Sequence, residues 1–104
     1  MLLERASARQ WVDSPVPGHQ VATIWNHSGD GCYFAQFVAG ASFPLHDHEG
    51  WEHILMLSGR VRFGEHELDA GDSLMLERGD VHSALALTDA TFFVAHRGDI
   101  QMID

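Results

Sequence analysis

The sequence contains no lysine. Its six cationic side chains are all arginine and stand against fifteen carboxylates, for a net charge of −9. So acidic a chain is a poor match for nucleic acid or an anionic membrane, since both are held by positive patches. It does not exclude an anionic small molecule, because a bound dication reverses the local sign. Cysteine is nearly absent as well. Cys32 stands alone, which rules out an internal disulfide and makes a reducing cytoplasm the expected compartment. Long apolar runs are missing: the opening MLLERASARQW lacks the apolar stretch of a secretory leader, and nothing approaches the ~20 residues of a membrane span. No P-loop, GxGxxG, Ser-His-Asp set or nucleophilic cysteine environment occurs, so protein-only routes to catalysis have little to work with.

What is present is a folded, aromatic-bearing chain rich in histidine. Its 104 residues suit one domain with a modest core, and 45% apolar content with three Trp and six Phe is too high for disorder. Three of its eight histidines carry the main signal. The stretch Gly40 to Gly59, GASFPLHDHEGWEHILMLSG, packs His46, His48 and Glu52 into seven residues, and Gly71 to Ala86, GDSLMLERGDVHSALA, adds His82. Side chains alternate faces along a strand, so His46 and His48 point one way and Asp47 the other. Gly50, in Glu49-Gly50-Trp51, suits a turn or bulge through its tolerance of positive φ, after which Glu52 can face the same interior. His82 comes from a separate strand folded across them.

Three imidazoles and a carboxylate suit a first-row divalent ion (iron, manganese, nickel or zinc), and the absence of thiolate argues against a structural zinc or iron–sulfur site. An HxH pair by itself is more often a surface accident. HxHxxxE in an apolar strand context, with a further histidine downstream, is much harder to reach by chance. The remaining histidines (His19, His27, His53, His66 and His96) are expected to face solvent or to be hydrogen-bonded.

With these residues the chain resembles a small single-domain cupin. The first cupin motif is a glycine, five residues, HxH, three or four residues, a glutamate, six residues and a glycine. Gly40, His46, His48, Glu52 and Gly59 match it throughout. In the second motif Gly71, Gly79 and His82 match, while Glu77 stands for the usual proline and Ala86 for the usual asparagine. Those departures touch a turn and a position behind the ligands. The resemblance implies an all-β double-stranded β-helix, or jelly-roll barrel, over residues 1–104, with 40–59 and 71–86 as its motifs.

The rest of the chain fits that shape. Residues 1–20 read as an N-terminal arm, a short helix or extended piece anchored by Trp11 and turned at Pro15, Pro17 and Gly18. Nine or ten short strands follow at the spacing of a sandwich or barrel. In Trp51–Ser58, Glu52, Ile54, Met56 and Ser58 share a face. The other face, Trp51, His53, Leu55 and Leu57, is apolar enough to need cover from the second sheet or from a partner in a homodimer. Candidates for the interior are Phe34, Phe37, Phe43, Ile54, Met56, Leu85 and Phe92. Gln36 is the one polar group in an apolar strand: either a satisfied amide or a substrate-binding group. Gly71-Asp72 and Gly79-Asp80 are turn chemistry.

Four ligands leave open positions on a five- or six-coordinate ion, which marks a catalytic rather than a structural site. The resemblance therefore implies a metal-dependent enzyme on a small chelating organic molecule, dioxygenase-like or else an isomerase, lyase or decarboxylase. A non-catalytic metal or small-ligand sensor is the alternative, and an empty structural barrel a third.

Overall fold

The alternating segments form strands, and every pairing between them is antiparallel. The computed structural model describes residues 1–103. In chain order the strands are β1 (Val12–Asp13), β2 (His19–His27), β3 (Asp30–Phe37), β4 (Ser42–His48), β5 (Trp51–Ser58), β6 (Val61–Phe63), β7 (His66–Leu68), β8 (Ser73–Glu77), β9 (His82–Ala86), β10 (Ala90–Arg97) and β11 (Ile100–Met102). They make two sheets, ordered β1-β2-β3-β10-β5-β8 and β11-β4-β9-β6-β7. This is the jelly-roll barrel the motifs imply. No helix among the described residues is long and apolar enough to cross a membrane.

Strand β5 shows why the layers form. Its buried residues are Glu52, Ile54 and Met56, and its exposed ones are Trp51, His53, Leu55 and Leu57. Period-two alternation can place only one set in the core. Ile54 and Met56 join Phe37, Val61, Phe63, Phe92 and Val94 there, each contributing about 1.5–3 kcal/mol through burial. Ser58 breaks the pattern and is exposed, because the pairing of β5 with β10 shifts register between Thr91 and Phe92. The outward set is not covered by the second sheet: Leu55 is 39% and Leu57 44% exposed.

Phe34 and Leu85 also turn away from the core, since Ala35, Ala84 and Ala86 occupy the inward positions beside them. Phe34 instead receives the N-terminal arm. The Arg9 guanidinium lies 3.5 Å above its ring, held at 2.8 Å by Glu4. The arm is extended apart from a 3-10 turn at Ala6–Ala8, and Trp11 is only half-buried, so Arg9 shares the anchoring expected of Trp11.

Two strands are longer in consequence than in sequence. β7 pairs back on β6 through the Gly64–Glu65 turn, with His66 opposite Phe63. β11 pairs with the histidine strand, placing Ile100 opposite His48 and Met102 opposite His46.

Candidate metal centre

Backbone pairing does most of the assembly. β4 presents His46 and His48 on its inner face and lies beside β9, where His82 is the direct partner of His46. Glu52 arrives from the opposite sheet, because the Glu49–Gly50 turn carries the chain across. Gly50 is required there for space rather than for positive φ: a Cβ would collide with the Arg97 carbonyl of the neighbouring strand end.

The three imidazoles converge. One nitrogen of each lies within 4.8 Å of the others, and all three residues are buried. Ring centroids are 4.4 Å apart for His46 and His82 and 5.1 Å for His46 and His48. Glu52, 7% exposed, sits outside that triplet but touches it, with Oε2 at 3.2 Å from His48 Nε2. That contact has ion-pair distance without hydrogen-bond direction, so His48 Nε2 remains without a hydrogen-bond partner.

Hydrogen bonding separates ligand nitrogens from anchoring ones. His46 Nδ1 lies 2.9 Å from the Pro44 carbonyl and donates to it, leaving Nε2 as the free lone pair. Both nitrogens of His48 and both of His82 are buried with no partner. Each such orphan costs about 1–3 kcal/mol, and an ion held by one nitrogen of each ring would relieve one on His48 and one on His82. The nitrogen-rich donor set with one carboxylate suits a first-row divalent ion. Protonation preferences are mixed. Burial first, then His46, pushes His82 down to about 4, which favours the neutral ligand form, whereas the Glu52 carboxylate raises His48.

Asp47 does what alternation left undefined. Pointing away from the imidazoles, it accepts from the Gly79 backbone N–H at 2.8 Å and from the His48 N–H at 2.7 Å. These bonds hold its pKa down and tie the turn before His82 to the strand that carries the other two histidines. Ala86, standing for asparagine, serves through its backbone: Gly40 donates to its carbonyl and its N–H donates to Ala41, both at 2.9 Å. Asp72 and Asp80 accept from the backbone of Asp69 and Glu77, as turn residues.

The other candidates fall elsewhere. Gln36 lines neither cavity beside the imidazoles; its amide donates to Gln20 Oε1, making it a satisfied amide. His27, His53 and His66 are exposed. His96 Nδ1 donates to the Gly98 carbonyl at 2.8 Å.

His19 is buried between Phe37 and Phe43, with Nδ1 2.7 Å from Ser14 Oγ. Burial lowers it to about 4, so between pH 6.5 and about 4 the unfolded chain takes its proton before the folded one. Stability is therefore lost as pH falls through that window, by up to about 3 kcal/mol. In urea melts of chelator-treated protein, His19→Phe should lose less stability than wild type between pH 7 and pH 5. Equal losses would show that His19 is not a source of acid sensitivity.

Two cavities meet at the centre. A small one of about 30 Å³ is lined by His46, Glu52, His82, Tyr33 and Ile100 among others. A larger one of about 250 Å³ reaches His48 and Glu52 and opens past Trp25 and Trp51. Together they offer a buried donor cluster with an approach from solvent.

Residues 1–100 match the ChrR cupin-like domain family. No curated protein matches the sequence. Among solved structures, the chain is similar to an acetylacetone dioxygenase from Acinetobacter johnsonii, at 14% identity and TM-score 0.84 over 100% of this chain and 77% of that one. It is likewise similar to the polyketide cyclase RemF from Streptomyces resistomycificus, at 16% and 0.82 over 100% and 86%. A third similarity is to a structure of Rhodobacter sphaeroides SigE in complex with the anti-sigma ChrR, at 22% and 0.77 over 89% of this chain and 51% of that one. At such identities the likeness establishes the fold.

Proposed function

The chain belongs to the ChrR cupin-like family, and from that footing we propose a divalent-metal enzyme acting on a small oxygen-chelating organic molecule, dioxygenase-like before isomerase or lyase. The observation that carries this reading is the set of buried, unpartnered histidine nitrogens beside a cavity open to solvent. His46, His48 and His82 would each hold the ion through one nitrogen, and Glu52 through its carboxylate. When bound there, an ion of iron, manganese, nickel or zinc would supply Lewis acidity toward chelating oxygens and, as iron(II), redox chemistry with dioxygen.

The chain's own residues do the rest. The Pro44 carbonyl fixes the His46 tautomer, and Asp47 holds the His82 turn against β4. Phe43, Phe63 and Phe92 line the small cavity and limit the water that reaches it. A cytoplasmic setting suits the lone Cys32, which needs no oxidised partner.

Acetylacetone, named for one structural relative, is the first substrate to try. Protein loaded with iron(II) is expected to consume dioxygen on its addition, and His46→Ala is expected not to. If iron(II)-loaded wild type takes up no oxygen and leaves 1,3-diketones and related chelators unchanged, the enzymatic reading fails. A non-catalytic sensor or regulatory cupin then takes its place; the likeness to an anti-sigma in complex with SigE supports its regulatory side.

The exposed outer face of β5 and β8, with Leu55, Leu57 and Met75, supports a homodimer. Sedimentation should show twice the 11.6 kDa chain mass, and Leu55→Glu should return it to one. A wild-type monomer at high concentration would reject the pairing.

A further inference from the structure

Two polar side chains, Tyr33 and His96, stand together in the wall of the 250 Å³ cavity. Tyr33, on β3, borders both this cavity and the small one beside the imidazoles. Its hydroxyl forms no hydrogen bond with protein among the described residues, and a phenol at neutral pH keeps its proton to donate. His96 meets the Tyr33 ring edge-on at 5.7 Å. Because His96 Nδ1 is committed to the Gly98 carbonyl, its Nε2 is left as an acceptor. Both side chains thus line the same cavity as Glu52 and His48.

The rim adds shape and charge. Trp25 and Trp51, 47% and 37% exposed, border the opening rather than fill the core. Large aromatic faces left half in water at a cavity mouth suit a flat partner. Arg97 lies on the same rim and forms no ion pair among the described residues, in a chain with only six arginines. Asp99 lies there too, so the cation favours a charge placed deeper, toward the metal ligands.

We propose that this cavity binds a small, flat organic anion carrying a hydroxyl next to a carboxylate or carbonyl, with Tyr33 donating to one oxygen, His96 Nε2 accepting from the hydroxyl, and Trp25 and Trp51 flanking the ring. The inference rests on the metal-centre reading, since only a bound cation makes the Glu52 end of the cavity attractive to an anion. It adds a chemical class of ligand and two residues that select it.

The test uses zinc-loaded protein, so that binding is read without turnover, and calorimetric titration with salicylate and cyclohexanecarboxylate. Salicylate is flat and carries the neighbouring hydroxyl; cyclohexanecarboxylate is an anion of similar size with neither feature. Salicylate is expected to bind at least about tenfold more tightly, and Tyr33→Phe to lose about tenfold for salicylate while keeping its zinc. Should Tyr33→Phe fail to fold, Trp51→Leu at the half-exposed rim is expected to show a similar loss. Equal affinity for the two anions, or a Tyr33→Phe protein that binds salicylate as wild type does, overturns the proposal. Failure of the wild type to take up zinc sinks the metal reading instead, and this inference with it.

Discussion

Changing His48 to alanine is expected to cut bound metal from near one per chain to below about 0.2 equivalents at neutral pH, while His53→Ala leaves it unchanged. The two positions lie on adjacent strands and differ in the face they present. His48 is 2% exposed, has two partnerless nitrogens and sits 3.2 Å from Glu52. His53 lies on the outer side of β5 in solvent. Removing His48 takes away one of three converging donors and leaves the buried Glu52 carboxylate without its neighbour. Elemental analysis of protein purified without a metal-affinity tag gives the answer. Equal metal content in the two variants would mean that the ion, if any, is held elsewhere.

Gly59→Ala is expected to be the most damaging of the motif glycine changes. This residue has φ +77°, where an L side chain is strained, and a Cβ there would run into the Asp89 carbonyl oxygen and Ala90. Backbone cannot swing aside as a side-chain tip can, so overlap adds to the conformational cost of about 1 kcal/mol. A total of about 3 kcal/mol should lower the thermal midpoint by more than about 10 °C. Gly71 has a comparable φ of +92° but open space where its Cβ would go, so Gly71→Ala should cost only about 1 kcal/mol. Circular dichroism melts of the two variants compare them directly. Midpoints within a few degrees of each other would show that the close approach at Gly59 relaxes easily.

The same contrast sets Gly59 apart from the other three motif glycines, since Gly40 also has a positive φ and open space around it. Gly59 is demanded by two constraints at once, conformation and space, whereas Gly71 and Gly79 answer only to conformation. Ala86 works because its contribution is made by backbone atoms, which any residue supplies.

Much was legible in one dimension because strand alternation is local. The facing of His46 against Asp47, and of Glu52, Ile54 and Met56 against Leu55 and Leu57, follows from pleat geometry alone, and a one-residue slip would invert it. The ligand candidates and an all-β sandwich or barrel were therefore readable from spacing, and the jelly roll was implied by the family resemblance. What spacing does not contain is partnership across the fold. That His82 is the registered neighbour of His46, that β11 braces the histidine strand, and that Phe34 serves the arm rather than the core all depend on pairings between distant segments. Tyr33 and His96 were invisible as a pair for the same reason. Each is ordinary in its own strand, and only the antiparallel docking of β3 on β10 brings the two rings together at the cavity wall.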